Sequence, residues 1–220
     1  MKIEYLETEY LKINSIKLVW KDGSMPPVKL KKQSNFWTAE IELPEGHYLY
    51  RLFINENILL NDPQANMYLP DENDVLWSVL MINSYKERLY NNQQYTVDIR
   101  EYIVTDNIYE DSLPQNKKVF IPPSDKMIAT RFIFKNVTGL HTVSILWIMP
   151  DGEVFDICED NLFSNDILLN ETTIWFYLNL HKNGVSYPLG IWKLKLFIDG
   201  DFILEDKFEI KHQPAFLNQA

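Results

Sequence analysis

From Trp37 onward the side chains alternate: Trp37, Ala39, Ile41 and Leu43 are apolar, while Thr38, Glu40 and Glu42 between them are polar. A period of two is that of a strand with one buried face. Pro44 and Gly46 then punctuate a turn, and Tyr48, Tyr50, Leu52 and Ile54 resume the alternation on a returning strand. Asn55-Glu56-Asn57 supplies polar residues that tolerate a tight reversal, so a second hairpin is expected there. Ile16 to Trp20 reads as an earlier strand. Leu76 to Ile82 reads as a closing one, apolar at most positions, as strands buried in a sandwich often are.

After Ile82 polar and charged residues dominate as far as Lys118, with Tyr85, Tyr90, Tyr95 and Tyr102 recurring among them. Tyr85 to Leu89 predicts a short helical turn, Tyr95 to Val104 a strand or ordered connector, and Asp111 to Lys118 an exposed loop. Strands are expected again at Ile128 to Lys135, Thr142 to Met149, Glu153 to Ile157, Thr172 to Leu180, Ile191 to Asp199 and Phe202 to Ile210. Turn signals such as Pro150-Asp151-Gly152, Asn183-Gly184 and Asp199-Gly200-Asp201 separate them. Several short strands at this spacing predict an all-β sandwich. The chain is thus expected to be all-β, with two immunoglobulin-like or early-set β-sandwich domains in tandem, 1–90 and 91–220. Each has enough alternating strands to cover its own core, and the join falls near Asn91-Asn92.

Composition bounds the function. The 220 residues are 46% hydrophobic and 14% aromatic, ample for two cores. The net charge is -10, and most of the acidic excess falls after residue 97. An acidic surface repels phosphate backbones and anionic headgroups, which argues against nucleic-acid and membrane partners and leaves neutral ones such as glycans. The one cysteine, Cys158, forms no intrachain disulfide, and Glu4, Glu7, Glu9 and Lys12 interrupt any apolar leader, so a cytoplasmic protein is expected.

Catalytic chemistry is hard to assemble from the residue types present. His47, His141, His181 and His212 stand singly, as surface or turn residues without metal-ligand spacing, and neither a metal nor a cofactor is expected. The carboxylates beside Cys158 raise its thiol pKa, the opposite of what a nucleophile needs. Asp71, Glu72, Asn73 and Asp74 lack calcium-loop spacing and read as a solvated tip. Glu159, Asp160 and Asp166 have no barrel to hold two of them as a glycosidase pair. The expectation is a protein that is not an enzyme.

In order along the chain stand Leu43-Pro44-Glu45-Gly46, Tyr48, Tyr50-Arg51-Leu52-Phe53-Ile54-Asn55, Asp62-Pro63 and Ser78-Val79-Leu80. Their sequence resembles the glycogen-binding modules, carbohydrate-binding module family 48, of AMP-activated kinase beta subunits and of isoamylase and branching-enzyme N-termini. The run from Gly190 to Ile210 looks like the last hairpin of immunoglobulin-like accessory domains. The first resemblance implies an early-set sandwich that binds an α-glucan, docks a protein partner, or serves as an accessory subunit of a glycogen-metabolising enzyme. Of the family's sugar-holding positions, the first tryptophan is missing from Lys21 to Pro26 and the second falls at Ile58. Arg51 stands for the lysine, and Trp77 falls near the asparagine. The carbohydrate-binding residues implied are Arg51, Phe53 and Trp77. Two of these carry alternatives: Trp77 is a sugar platform or a core residue against Trp37, and Phe53 stacks on a sugar or touches the second domain. Trp20, Trp37, Trp147, Trp175 and Trp192 lie in strand patterns and read as core.

Overall fold

The computed structural model describes residues 1–23, 25–65, 67–89, 97–108, 114–164, 171–182 and 184–212. The expected join at Asn91-Asn92, with Tyr90, Tyr95, Asp166 and Asn183, lies outside the described residues. The first half holds β1 (Lys2–Leu6), β2 (Ile16–Trp20), β3 (Val28–Lys29), β4 (Lys31–Gln33), β5 (Phe36–Glu40), β6 (Gly46–Ile54), β7 (Ile58–Leu60), β8 (Met67–Pro70) and β9 (Leu76–Ile82). The second holds β10 (Asp98–Thr105), β11 (Val119–Phe120), β12 (Met127–Lys135), β13 (His141–Ile148), β14 (Val154–Leu162), β15 (Glu171–Asn179), β16 (Gly190–Ile198) and β17 (Asp201–Ile210).

These strands build two sandwiches in tandem. In the first, the sheet β1-β5-β4 faces the sheet β3-β2-β6-β9-β8, to which β7 adds beside β6. In the second, β10-β12-β15 faces β11-β17-β16-β13-β14. No ladder joins the two halves among the described residues. The alternation read from the sequence sets the faces: Trp37 and Ala39 on one sheet meet Leu18, Tyr50, Leu52 and Ile54 on the other, all buried. The reversal at Asn55-Glu56 has positive φ at both residues, 53° and 63°, and the Asn55 carboxamide accepts from the Asn14 and Ser15 amides. The expected helical turn at Tyr85 to Leu89 does not form. Asn83 Oδ1 instead accepts from the Tyr85 and Glu87 amides, closing a turn that returns Arg88 beside Ile82.

Each half was expected to cover its own core, and here the packing differs from the pairing. All eight residues of β13 are buried. One face of its sheet carries Val143, Ile145 and Trp147 into the second core, while the other carries Leu146, Ile148 and, from β16, Phe197 into the first. A strand covered on both faces reads as a continuous apolar run, as Ile145 to Met149 does. The sandwiches are therefore stacked on each other through the five-stranded sheet. Tyr10 stacks on Phe202 with centroids 4.1 Å apart, and Asn61 Nδ2 donates to Thr142 Oγ1 at 2.9 Å.

Candidate functional site

The register places Arg51, Phe53 and Trp77 on one face of the β2-β6-β9 sheet. Tyr50, Leu52, Ser78 and Leu80 point inward and are buried, and the intervening residues point outward. The outward face is nevertheless not free. Arg51 is only 4% exposed, because Glu159 on β14 closes over it: Arg51 Nη2 donates to Glu159 Oε2 and, at 3.2 Å, to the Leu59 carbonyl. Ser144 Oγ adds a 3.3 Å bond to the same carboxylate. This corrects the sequence reading of Arg51 as a surface sugar ligand. A guanidinium inside a protein needs a fixed counter-charge, and β14 supplies it.

Phe53 and Trp77 are half-buried beside that contact. Phe53 lies in register with Lys17 and Leu59. Trp77 is not in the core with Trp37; its indole N–H donates to Asp71 Oδ2 at 3.0 Å. Asp71 also accepts from the Asn73 and Val75 amides, and these donors hold its carboxyl below the usual range, the Trp77 bond foremost. The acidic tip is a hydrogen-bonded hairpin turn. Glu159, weighed as half of a glycosidase pair, is committed to the Arg51 contact.

His141 also departs from the surface reading. It is buried, with Nδ1 2.7 Å from Asp199 Oδ2 and Nε2 3.1 Å from the Thr138 carbonyl. Burial disfavours its charge, but the bond to Asp199, that carboxylate's charge and the Thr138 carbonyl outweigh it and raise the pKa.

A different place in the second sandwich offers a recess. A cleft of about 480 Å³ opens between β14 and β15, the edge strands of the two facing sheets. The sheet β10-β12-β15 ends on β15 and its five-stranded partner ends on β14, so the recess lies where two sheet edges meet. Phe155, Trp175, Tyr177 and Tyr187 bring rings to the lining, and Asp156, Asn179 and Lys182 bring polar groups. Trp20, Trp37, Trp147 and Trp192 are core, as the strand pattern predicts, but Trp175 is not. Ile174 and Phe176 take the inward positions on β15, which turns Trp175 outward opposite Arg131, whose Cζ lies 5.6 Å from the ring centroid.

The cleft wall is braced. Tyr187 donates to the Asn179 carbonyl at 2.5 Å, fastening the segment after β15 to the strand. Phe155 lies 5.3 Å from Tyr187 and 5.2 Å from Trp192, and Trp192 continues to Phe208, so the rings run from the cleft into the core. Cys158 lies at the same place; burial raises its thiol pKa, Trp147 pulls the other way, and the charge of Asp156 adds to the rise. The alternation Trp175, Tyr177, Asn179 on β15 was the only trace of this site in the sequence.

No protein-family model matches the chain, and no curated protein matches its sequence. Solved structures match at low identity. An immunoglobulin-like protein from Pseudomonas aeruginosa is 16% identical with a TM-score of 0.36, covering 53% of this chain and 97% of its own. A DUF3823 family protein from Bacteroides ovatus is 15% identical with a TM-score of 0.30, covering 94% and 91%. A maltogenic amylase from S. marinus is 15% identical with a TM-score of 0.31, covering 90% of this chain and 24% of the amylase. The chain spans less than a third of the length of several of the enzymes it matches.

Proposed function

We propose that this protein is a non-catalytic carbohydrate-binding module, with an α-glucan of the glycogen type as its ligand, and that the sugar chain lies in the cleft between β14 and β15. The observation that carries the reading is the composition of that recess: five aromatic residues, Phe176 among them, with a carboxylate, a carboxamide and an amine in one lining. Aromatic planes cover the apolar faces of pyranose rings, and a few fixed polar groups hold hydroxyls. The bracing of Tyr187 and Phe155 supports binding with little reordering, which favours affinity. Glycoside hydrolysis needs two carboxyl groups about 5–9.5 Å apart, and among the described residues Asp156 is the only carboxylate in the cleft lining, which supports binding without turnover.

Affinity electrophoresis in amylopectin gels tests this directly. Retardation of the wild type that is lost in Tyr177→Ala and Trp175→Ala is the expected result; Tyr177 is 53% exposed, so its loss leaves the fold intact. A wild type that runs as it does in a plain gel overturns the glucan reading. It would favour the second one, a protein-docking module, which rests on the exposed apolar residues Tyr177, Leu189 and Ile191, 45–58% accessible, in the second sandwich.

A further inference from the structure

The turn between β16 and β17, Asp199-Gly200-Asp201, is inserted against Asn61-Asp62-Pro63 of the first sandwich. A Cβ on Gly200 would lie 2.0 Å from the Asn61 carbonyl oxygen, so the two backbones touch. Tyr5 donates to the Gly200 carbonyl at 3.2 Å. Asp199 accepts from His141 Nδ1 and, at 2.9 Å, from the Thr142 amide, while the Thr142 hydroxyl accepts from Asn61. We propose that this turn is a proton-sensitive joint between the sandwiches, closed most firmly in mild acid and progressively weakened as the pH rises.

The charges at the joint are mismatched. Asp62, Asp199 and Asp201 act on one another there, against His141 beside Asp199 and Arg88 near Asp62. Tyr5, Tyr50 and Tyr68 complete the set of titratable groups, and burial raises all three, so they remain neutral donors. Asp62 is wholly enclosed. Burial raises its pKa against the opposing effects of the Tyr50 hydroxyl, the Gln64 amide and Arg88. Asp201 is raised by burial, then by Asp199 and by Asp62.

A carboxyl raised in the folded state favours the protonated form, so stability is full below its ordinary value of 3.8 and is lost as the pH climbs through the raised one. His141 is raised from 6.5, so its contribution is full below 6.5 and is lost as the pH passes its raised value. All three groups thus act in the same direction.

The experiment uses the full chain at pH 4, 5.5, 7 and 8.5, a range that starts near the ordinary carboxyl value and passes the ordinary imidazole value. Thermal unfolding reads stability, and small-angle scattering at 25 °C reads the separation of the sandwiches. The wild-type Tm and compactness should both fall with rising pH, and both falls should be shallower in Asp201→Asn and in His141→Gln. Asn is close in size and shape to Asp201 and cannot ionise, so this variant remains informative if the histidine variant is poorly folded. A pH slope identical in the wild type and Asp201→Asn, or a radius of gyration that does not change with pH, overturns the proposal.

Discussion

The backbone contact between Gly200 and Asn61 gives the sharpest prediction about stability. Gly200 has φ +91°, and a β-carbon there would stand 2.0 Å from the Asn61 oxygen, 3.0 Å from its carbonyl carbon and 3.2 Å from Pro63 Cδ. The first two are backbone atoms and cannot swing away as the end of a side chain does. Gly152 is the internal control, with φ +93° and nothing within 4 Å of the same virtual atom. Alanine at either site meets left-handed strain of about 1–2 kcal/mol. At Gly200 alone it also meets overpacking of about 1–3 kcal/mol. The difference between the variants is therefore about 1–3 kcal/mol, or roughly 2–12 °C in Tm for a chain of this size. Calorimetry of Gly200→Ala and Gly152→Ala under one buffer condition measures it. Equal losses in the two variants would show that the turn does not press on Asn61, and the stacked arrangement of the sandwiches would fall with it.

Other consequences follow from single contacts. Arg51→Ala leaves Glu159 facing a buried gap and should cost about 3–5 kcal/mol in urea unfolding, whereas a loss below 1 kcal/mol would mean the guanidinium is solvated. Trp192→Ala removes a fully buried ring between Phe155 and Phe208 and should cost about 3–5 kcal/mol while also loosening the cleft, read as reduced retardation in amylopectin gels. Tyr50→Phe removes a donor that favours the Asp62 carboxylate, so the Asp62 carboxyl resonance should titrate at higher pH in the variant; an unchanged or lower midpoint contradicts that bond.

What the sequence conveyed, it conveyed through period and punctuation. Ile16–Trp20 and Leu76–Ile82 are strands at the expected limits, and five of the six later strands fall within about a residue of theirs, while the strand expected at Glu153 to Ile157 runs on to Leu162. The shared parity of Arg51 and Phe53 was legible from the period of two, whereas Trp77, on a strand apolar at most positions, was left between surface and core. The exposure of Arg51 was not legible, since it depends on Glu159, 108 residues away, and a period of two says which way a side chain points but not what lies opposite. Asp199-Gly200-Asp201 announced a turn, yet nothing in the tripeptide tells that Asn61 presses against it. The cleft was hidden more deeply. It lies between the edge strands of two sheets, and which strands become edges is a property of pairing, which sequence period does not encode. Trp175 read as core because it lies in a strand pattern; its neighbours Ile174 and Phe176 occupy the inward positions and turn the tryptophan out beside Arg131. The same one-residue parity that made the strand easy to find therefore decides whether its aromatic residues serve the core or the candidate site.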